Sequence, residues 1–157
     1  MRPVVIGIGN IERGDDGAGR QVARILKHML GDKALVVELD GEAGAILERL
    51  EGAATAYLVD ACMSKAPPGT VHRIDATVGE LPLASSDLST HGFGLASAVE
   101  LARTLGQLPA QTVVFAIEAE TFEPGAPLTK PVADATVIVA ERIRQEIEGE
   151  PECTKPR

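Results

Sequence analysis

Apolar and polar positions along this chain switch repeatedly between two spacings. Residues 3–8 are a continuous apolar run, the pattern of a strand buried on both faces. After Gly17, the residues Val22, Ile25, Leu26, Met29 and Leu30 recur on one helical face. "ALVVELD" (34–40) is a second strand-like run, and Ala43, Ile46, Leu47 and Leu50 then form a helical stripe. "TAYLVDA" (55–61) predicts a third strand, and "MSKAPPGT" a turn broken by Pro67, Pro68 and Gly69. "TVHRID" (70–75) alternates, which fits a half-exposed strand at a sheet edge. Residues 76–90 carry no clear period and predict a loop. From His91 onward Leu95, Ala98, Val99 and Ala102 mark another helix, ending near Gly106. "TVVFAIE" (112–118) predicts a strand and "AETFEPGAPLT" a loop. Pro131 opens the last helix, with Thr129 as its cap and Val132, Ala135, Val139, Ile143 and Ile147 turned inward.

Strands alternating with helices call for an α/β fold, a mostly parallel sheet covered on both faces. No repeat or linker divides the chain, so residues 1–149 are expected to form a single α/β domain. "EPECTKPR", residues 150–157, is expected to be a disordered tail.

Composition narrows the function. A chain of 157 residues with 45% apolar residues can bury a core, and with 3% aromatics that core must be Val, Leu, Ile and Ala. A net charge of −8 argues against nucleic acid, because phosphate contacts need Lys and Arg. Cys62 and Cys153 make no disulfide framework or C-x-x-C motif. No signal peptide or membrane-spanning run is recognisable, so a reducing cytoplasm is the expected location.

The first loop is the informative one. "VVIGIGNIERGDDGAG" begins like a dinucleotide-binding strand–turn–helix, but Glu12 stands where the third glycine belongs. Asp15 and Asp16 then put negative charge where a pyrophosphate would sit. Ligands of open parallel sheets bind beyond the carboxyl ends of the strands. There the other runs also deliver acids: Asp40 followed by Gly41, then Asp60, then Glu118 with Glu120 close behind. Carboxylates crowded in one crevice resist desolvation unless a cation joins them.

Asp15 is expected to cap the first helix, which leaves Asp16 for function. Among the three histidines, His28 sits late in a helix and His72 points outward from a strand. His91, in "SSDLSTHGFGL", follows a polar loop and opens a helix, so its imidazole is the candidate ligand. An imidazole among aspartates shifts the preference from magnesium toward nickel, zinc or similar ions. No G-x-S-x-G or H-E-x-x-H motif supplies a nucleophile or a zinc site, so water is the expected attacking group. Cys62 is most simply a small buried thiol.

Five blocks, "GIGNIERGDDGAG", "ELDGEAG", "LVDACMSKAPPGT", "STHGFGL" and "IEAETFEPGAPLTKPV", closely resemble the hydrogenase maturation endopeptidases in order and spacing. The resemblance spans residues 2 to about 147, nearly the whole chain. It implies a three-layer α/β/α sandwich around a twisted, mostly parallel sheet. It also implies a protease that trims a C-terminal extension from the large-subunit precursor of a nickel–iron hydrogenase, after nickel insertion. In that family the metal is contacted from positions that fall here on Asp16, Asp60 and His91. The nickel would be carried by the precursor rather than held permanently. The Asp40–Gly41 turn is assigned to holding the precursor or shaping the crevice. Two other readings stay open: a non-catalytic nickel-dependent checking chaperone for the same precursor, and a dinucleotide-dependent enzyme using Gly7, Gly9 and Asp40.

Overall fold

A computed structural model describes residues 2–79, 81 and 92–149. The expected tail at 150–157, residues 80 and 82–90 of the loop expected at 76–90, and His91 lie outside the described residues. In chain order the elements are β1 (Val4–Ile8), a 3-10 turn (Gly14–Gly17), α1 (Ala18–Leu30), β2 (Leu35–Leu39) and α2 (Ala43–Leu50). They continue with β3 (Thr55–Cys62), β4 (Val71–Asp75), α3 (Gly92–Thr104), β5 (Gln111–Glu118) and α4 (Lys130–Glu148).

The five strands lie in the order β2-β1-β3-β5-β4. All neighbours are parallel except β4, which runs antiparallel along β5 at the edge. Continuous apolar runs become interior strands because both faces are covered: every residue of β1 is buried, as are all but the first of β3 and β5. The alternating run at 71–75 becomes the edge strand, as its pattern predicts.

Helices α1 and α4 cover one face, over Val5, Tyr57, Val59, Val113 and Phe115. Helices α2 and α3 cover the other, over Val4, Ile6, Ala56, Leu58 and Val114. The result is a three-layer α/β/α sandwich. On α1 the buried stripe is Val22, Leu26 and Leu30; Met29, expected inward, lies at its flank and is exposed. Among the described residues no helix is long and apolar enough to cross a membrane.

The third-glycine role in the first βα unit is filled farther along the chain. A Cβ on Gly7 would lie 2.3 Å from the Gly19 carbonyl oxygen, and one on Gly19 would lie 2.4 Å from that of Ile8. The paired glycines let α1 press directly onto β1, so Glu12 can stay outside, exposed, without spoiling the packing.

The outer strand β2 is fastened by charge. Glu38 lies on the α1 side of the sheet and accepts from Arg20 Nε (3.2 Å), Arg24 Nε (3.0 Å) and Lys27 Nζ (3.3 Å). Burial alone would raise the pKa of Glu38. The hydrogen bonds from Lys27, Arg20 and Arg24 outweigh it and hold the carboxyl below its ordinary value of 4.5.

A folded-state pKa below the unfolded one stabilises at pH above the unfolded value and loses that contribution as pH falls through the folded one. Glu38→Gln should therefore cost about 1 kcal/mol near neutral pH, the partners being partly exposed and screened. Urea titrations of both chains across pH should show this gap shrinking below the ordinary glutamate range. A gap independent of pH would show that the carboxylate charge is not what fastens β2.

Candidate functional site

From β1 the chain passes to β2 on one side, and later returns to place β3 on the other. Loops leaving the carboxyl ends of β1 and β3 thus diverge, opening the crevice where doubly wound sheets take ligands. Asp16 follows β1 and Asp60 lies near the end of β3. Both are buried, at 1% and 0% exposure. By strand alternation Asp60 is on the side of Leu58, the face covered by α2 and α3. His91, the third predicted ligand, lies outside the described residues; α3 begins at the next position, Gly92.

The first loop holds Asp16 by a close backbone approach. Gly9 has φ +145°, and a Cβ there would lie 1.9 Å from the Asp16 carbonyl oxygen. Into that space the Asn10 N–H donates to the Asp16 carbonyl (3.2 Å) and to its Oδ2 (3.3 Å).

Asp15 has a different task from the one its sequence position suggests. The N-cap of α1 is Gly17, because the 3-10 turn at 14–17 intervenes, and no side chain caps that helix. The buried Asp15 carboxylate instead turns toward the loop after β5. It accepts from the backbone N–H of Glu120 (2.8 Å), Thr121 (3.3 Å) and Thr129 (2.7 Å), and from Thr129 Oγ1 (2.9 Å). Thr129 is the N-cap residue of α4, as predicted, but its hydroxyl serves Asp15 rather than the helix. Backbone bonds from Asp15 N to Thr121 O and from Gly125 N to Glu12 O complete the seam.

Asp40 and Gly41 occupy the turn after β2. Asp40 is exposed, and its Oδ1 accepts from Glu42 N–H at 3.1 Å, a local turn bond. Glu42 in turn caps α2 by accepting from Gly44 N–H (2.7 Å) and Ala45 N–H (2.9 Å). Gly41 is buried against the start of α3: a Cβ on Gly94 would lie 1.7 Å from the Gly41 carbonyl oxygen. This turn therefore sets where α3 begins.

Glu118 is taken up by a separate cluster beside the crevice. It lies directly across from Cys62 in the β3–β5 pairing, and His72 on antiparallel β4 shares that face. The buried Glu118 carboxylate accepts from His72 Nε2 (2.9 Å), Ser64 N–H (3.1 Å), the Ser64 hydroxyl and the Cys62 thiol. Burial would raise its pKa, but the bonds from Ser64 and His72 prevail and hold it below the ordinary range. His72, expected to point outward, is turned toward this carboxylate. The pattern at 70–75 could not reveal that, because the partner strand of β4 decides which face is buried.

A surface cleft of about 270 Å³ flanks the outer side of the first loop. It is lined by Ile11, Gly14, Gly17, Gln21, Arg24 and Leu128. With neither carboxylate nor imidazole in that lining, it can offer contact surface but no acid–base chemistry.

Comparison with known proteins agrees with this architecture. The family model described as HycI, hydrogenase maturation protease, matches residues 21–146, a span that includes Asp40, Asp60 and position 91 but begins after Asp16. The hydrogenase 2 maturation protease of Escherichia coli strain K12 is 29% identical over 142 residues, 87% of this chain and 84% of its own length. The hydrogenase expression/formation protein HupD of Thiocapsa roseopersicina is 27% identical over 117 residues; the matched segment is 73% of this chain and about half, 53%, of that protein. In three dimensions the chain is similar to the hydrogenase maturating endopeptidase HybD from Escherichia coli. The TM-score is 0.77 at 23% identity, over 96% of this chain and 94% of that one. The [NiFe] hydrogenase maturation protease HybD from Thermococcus kodakarensis gives a TM-score of 0.77 at 24% identity, over 94% and 99%.

The Asp15 seam yields a stability prediction. Asp15→Ala leaves buried backbone donors without an acceptor and should cost about 3 kcal/mol in urea unfolding. Amide exchange should quicken at Glu120 and Thr129 in particular. Unchanged stability and exchange would show that the two loops are joined by something else.

Proposed function

The chain belongs to the hydrogenase maturation protease family, and from that premise we propose that it removes a C-terminal extension from the large-subunit precursor of a nickel–iron hydrogenase once nickel is in place. The substrate's own nickel is recognised by Asp16, Asp60 and His91. One observation carries this reading: two carboxylates, Asp16 and Asp60, are buried where the strand order reverses.

Holding ionised carboxylates out of water is costly, and a cation nearby lowers that cost. Two aspartates with an imidazole form an incomplete coordination shell, and their mixed oxygen–nitrogen donor set suits nickel. A precursor that carries nickel completes the shell as it docks. A precursor without the ion brings only its own polar surface against two negative charges, and binds weakly. Selection for loaded substrate then follows from charge alone.

The chain's own part in hydrolysis is to position and to exchange protons. Water is the nucleophile in this proposal, since the Cys62 thiol is buried and donates to Glu118. One of the two aspartates accepts the proton of the attacking water and passes it to the departing amine as the peptide bond breaks; the substrate's nickel, when present, would supply Lewis-acid chemistry at the scissile carbonyl. The buried Gly41 turn packs against Gly94 near the start of α3, the helix that His91 precedes in sequence.

The test is a paired processing assay on nickel-loaded and nickel-free precursor, read by mass spectrometry. Loaded precursor should lose its terminal peptide, and nickel-free precursor should be cut at least about 100-fold more slowly. Equal cutting of both would remove recognition of the ion. Loaded precursor that binds but keeps its full mass would identify a checking chaperone instead of a protease. Asp16→Asn and His91→Ala should each lower processing by about 100-fold or more with little change in melting temperature. Normal turnover in either would move the site elsewhere.

A further inference from the structure

We propose that Cys62, His72 and Glu118 form a second metal site, resident in this chain and separate from the crevice, that takes a thiophilic divalent cation of the zinc type. The three residues offer one sulfur, one nitrogen and one oxygen donor, all within 4.8 Å of one another. Each comes from a different strand, and the pairing fixes them on one face: Cys62 opposite Glu118, and His72 opposite Ala116. Sites built on paired strands hold their geometry better than sites on loops.

The donor set is the one zinc selects, with three protein ligands and an open fourth position. Zinc–ligand bonds of about 2.0–2.3 Å in a tetrahedron put neighbouring donors about 3.3–3.7 Å apart. The His72–Glu118 contact of 2.9 Å therefore has to open by only a few tenths of an ångström. Supporting hydrogen bonds are in place: Ser64 donates to Glu118 through both its amide and its hydroxyl, which orients the carboxylate. Cys62 and Glu118 are buried, while the His72 side chain is 30% exposed and gives the ion a route in from the β4 edge.

Binding balances by proton release. The Cys62 thiol loses its proton to solvent and ligates as thiolate. The imidazole ligates through Nε2 as the neutral tautomer with its proton on Nδ1, and Glu118 exchanges its thiol and imidazole donors for the metal. A bound ion would tie β3, β4 and β5 together at their shared end. Cys62 lies two residues past Asp60 on the same face of β3, about 7 Å along the strand. The second ion would thus flank the crevice without sharing its ligands.

Thiolate ligation separates this site from the nickel crevice, whose proposed donors are oxygen and nitrogen only. Cobalt(II), titrated into the metal-free full-length chain as a probe for zinc, should produce a near-ultraviolet thiolate-to-cobalt charge-transfer band. The band should saturate at one equivalent and vanish when zinc is added. It should be lost in Cys62→Ser, fall with at least about tenfold weaker binding in Ser64→Ala, and survive in Asp16→Asn and in Cys153→Ser. Zinc should also raise the melting temperature of the unmodified chain. Absence of the band in the unmodified chain overturns the proposal whatever the variants do. A band that follows Cys153, or that survives in Cys62→Ser, overturns it as well.

Discussion

A single buried carboxylate lets two adjacent acids coexist at the mouth of the first loop. Asp15 is enclosed by three backbone amides and a hydroxyl from the segment that leads into α4. A charge so fully hydrogen-bonded is stable out of water. With Asp15 anchored outward, the 3-10 turn around it is fixed, and its neighbour Asp16 is left beside the diverging ends of β1 and β3. The loop begins like a phosphate cradle, with glycines after a strand. It has become a mount for negative charge, and the segment between β5 and α4 is what holds the mount in place.

Much of this architecture could be read from the chain. Runs such as "VVIGI" and "VVFAI" are apolar at every position because their strands are covered on both faces, and the alternating "TVHRID" marked the edge. Helical stripes at 43–50 and 95–102 fell where predicted. What escaped depended on partners distant in sequence. The Asp15 carboxylate turns toward the amides of Glu120, Thr121 and Thr129, donors far away in sequence. Whether His72 faces solvent depends on the register of β4 against β5. Met29 shows the same limit on a smaller scale, since the edge of a helical stripe is set by what lies beneath it.

The candidate site was legible in its acids and less so in their division of labour. Four parallel strands end in carboxylates, and the sequence presents them as one rim. The structure sorts them by the donors each meets. Asp15 meets amides, Asp40 a local turn bond, and Glu118 a cluster of hydroxyl, imidazole and thiol. Asp16 accepts from the Asn10 amide and Asp60 from the Ala61 amide, and both are buried at the reversal of strand order. Burial of charge is an expense a fold sustains only where something offsets it, so the surroundings of each acid are the best guide to its role.

The contact between Gly94 and the Gly41 carbonyl couples two segments that share no chemistry. No side chain fits at 94 unless the turn at 41 is rebuilt at the same time. Drift in either segment is therefore penalised by the other. Among descendants of this chain, the two positions should be inherited as a unit.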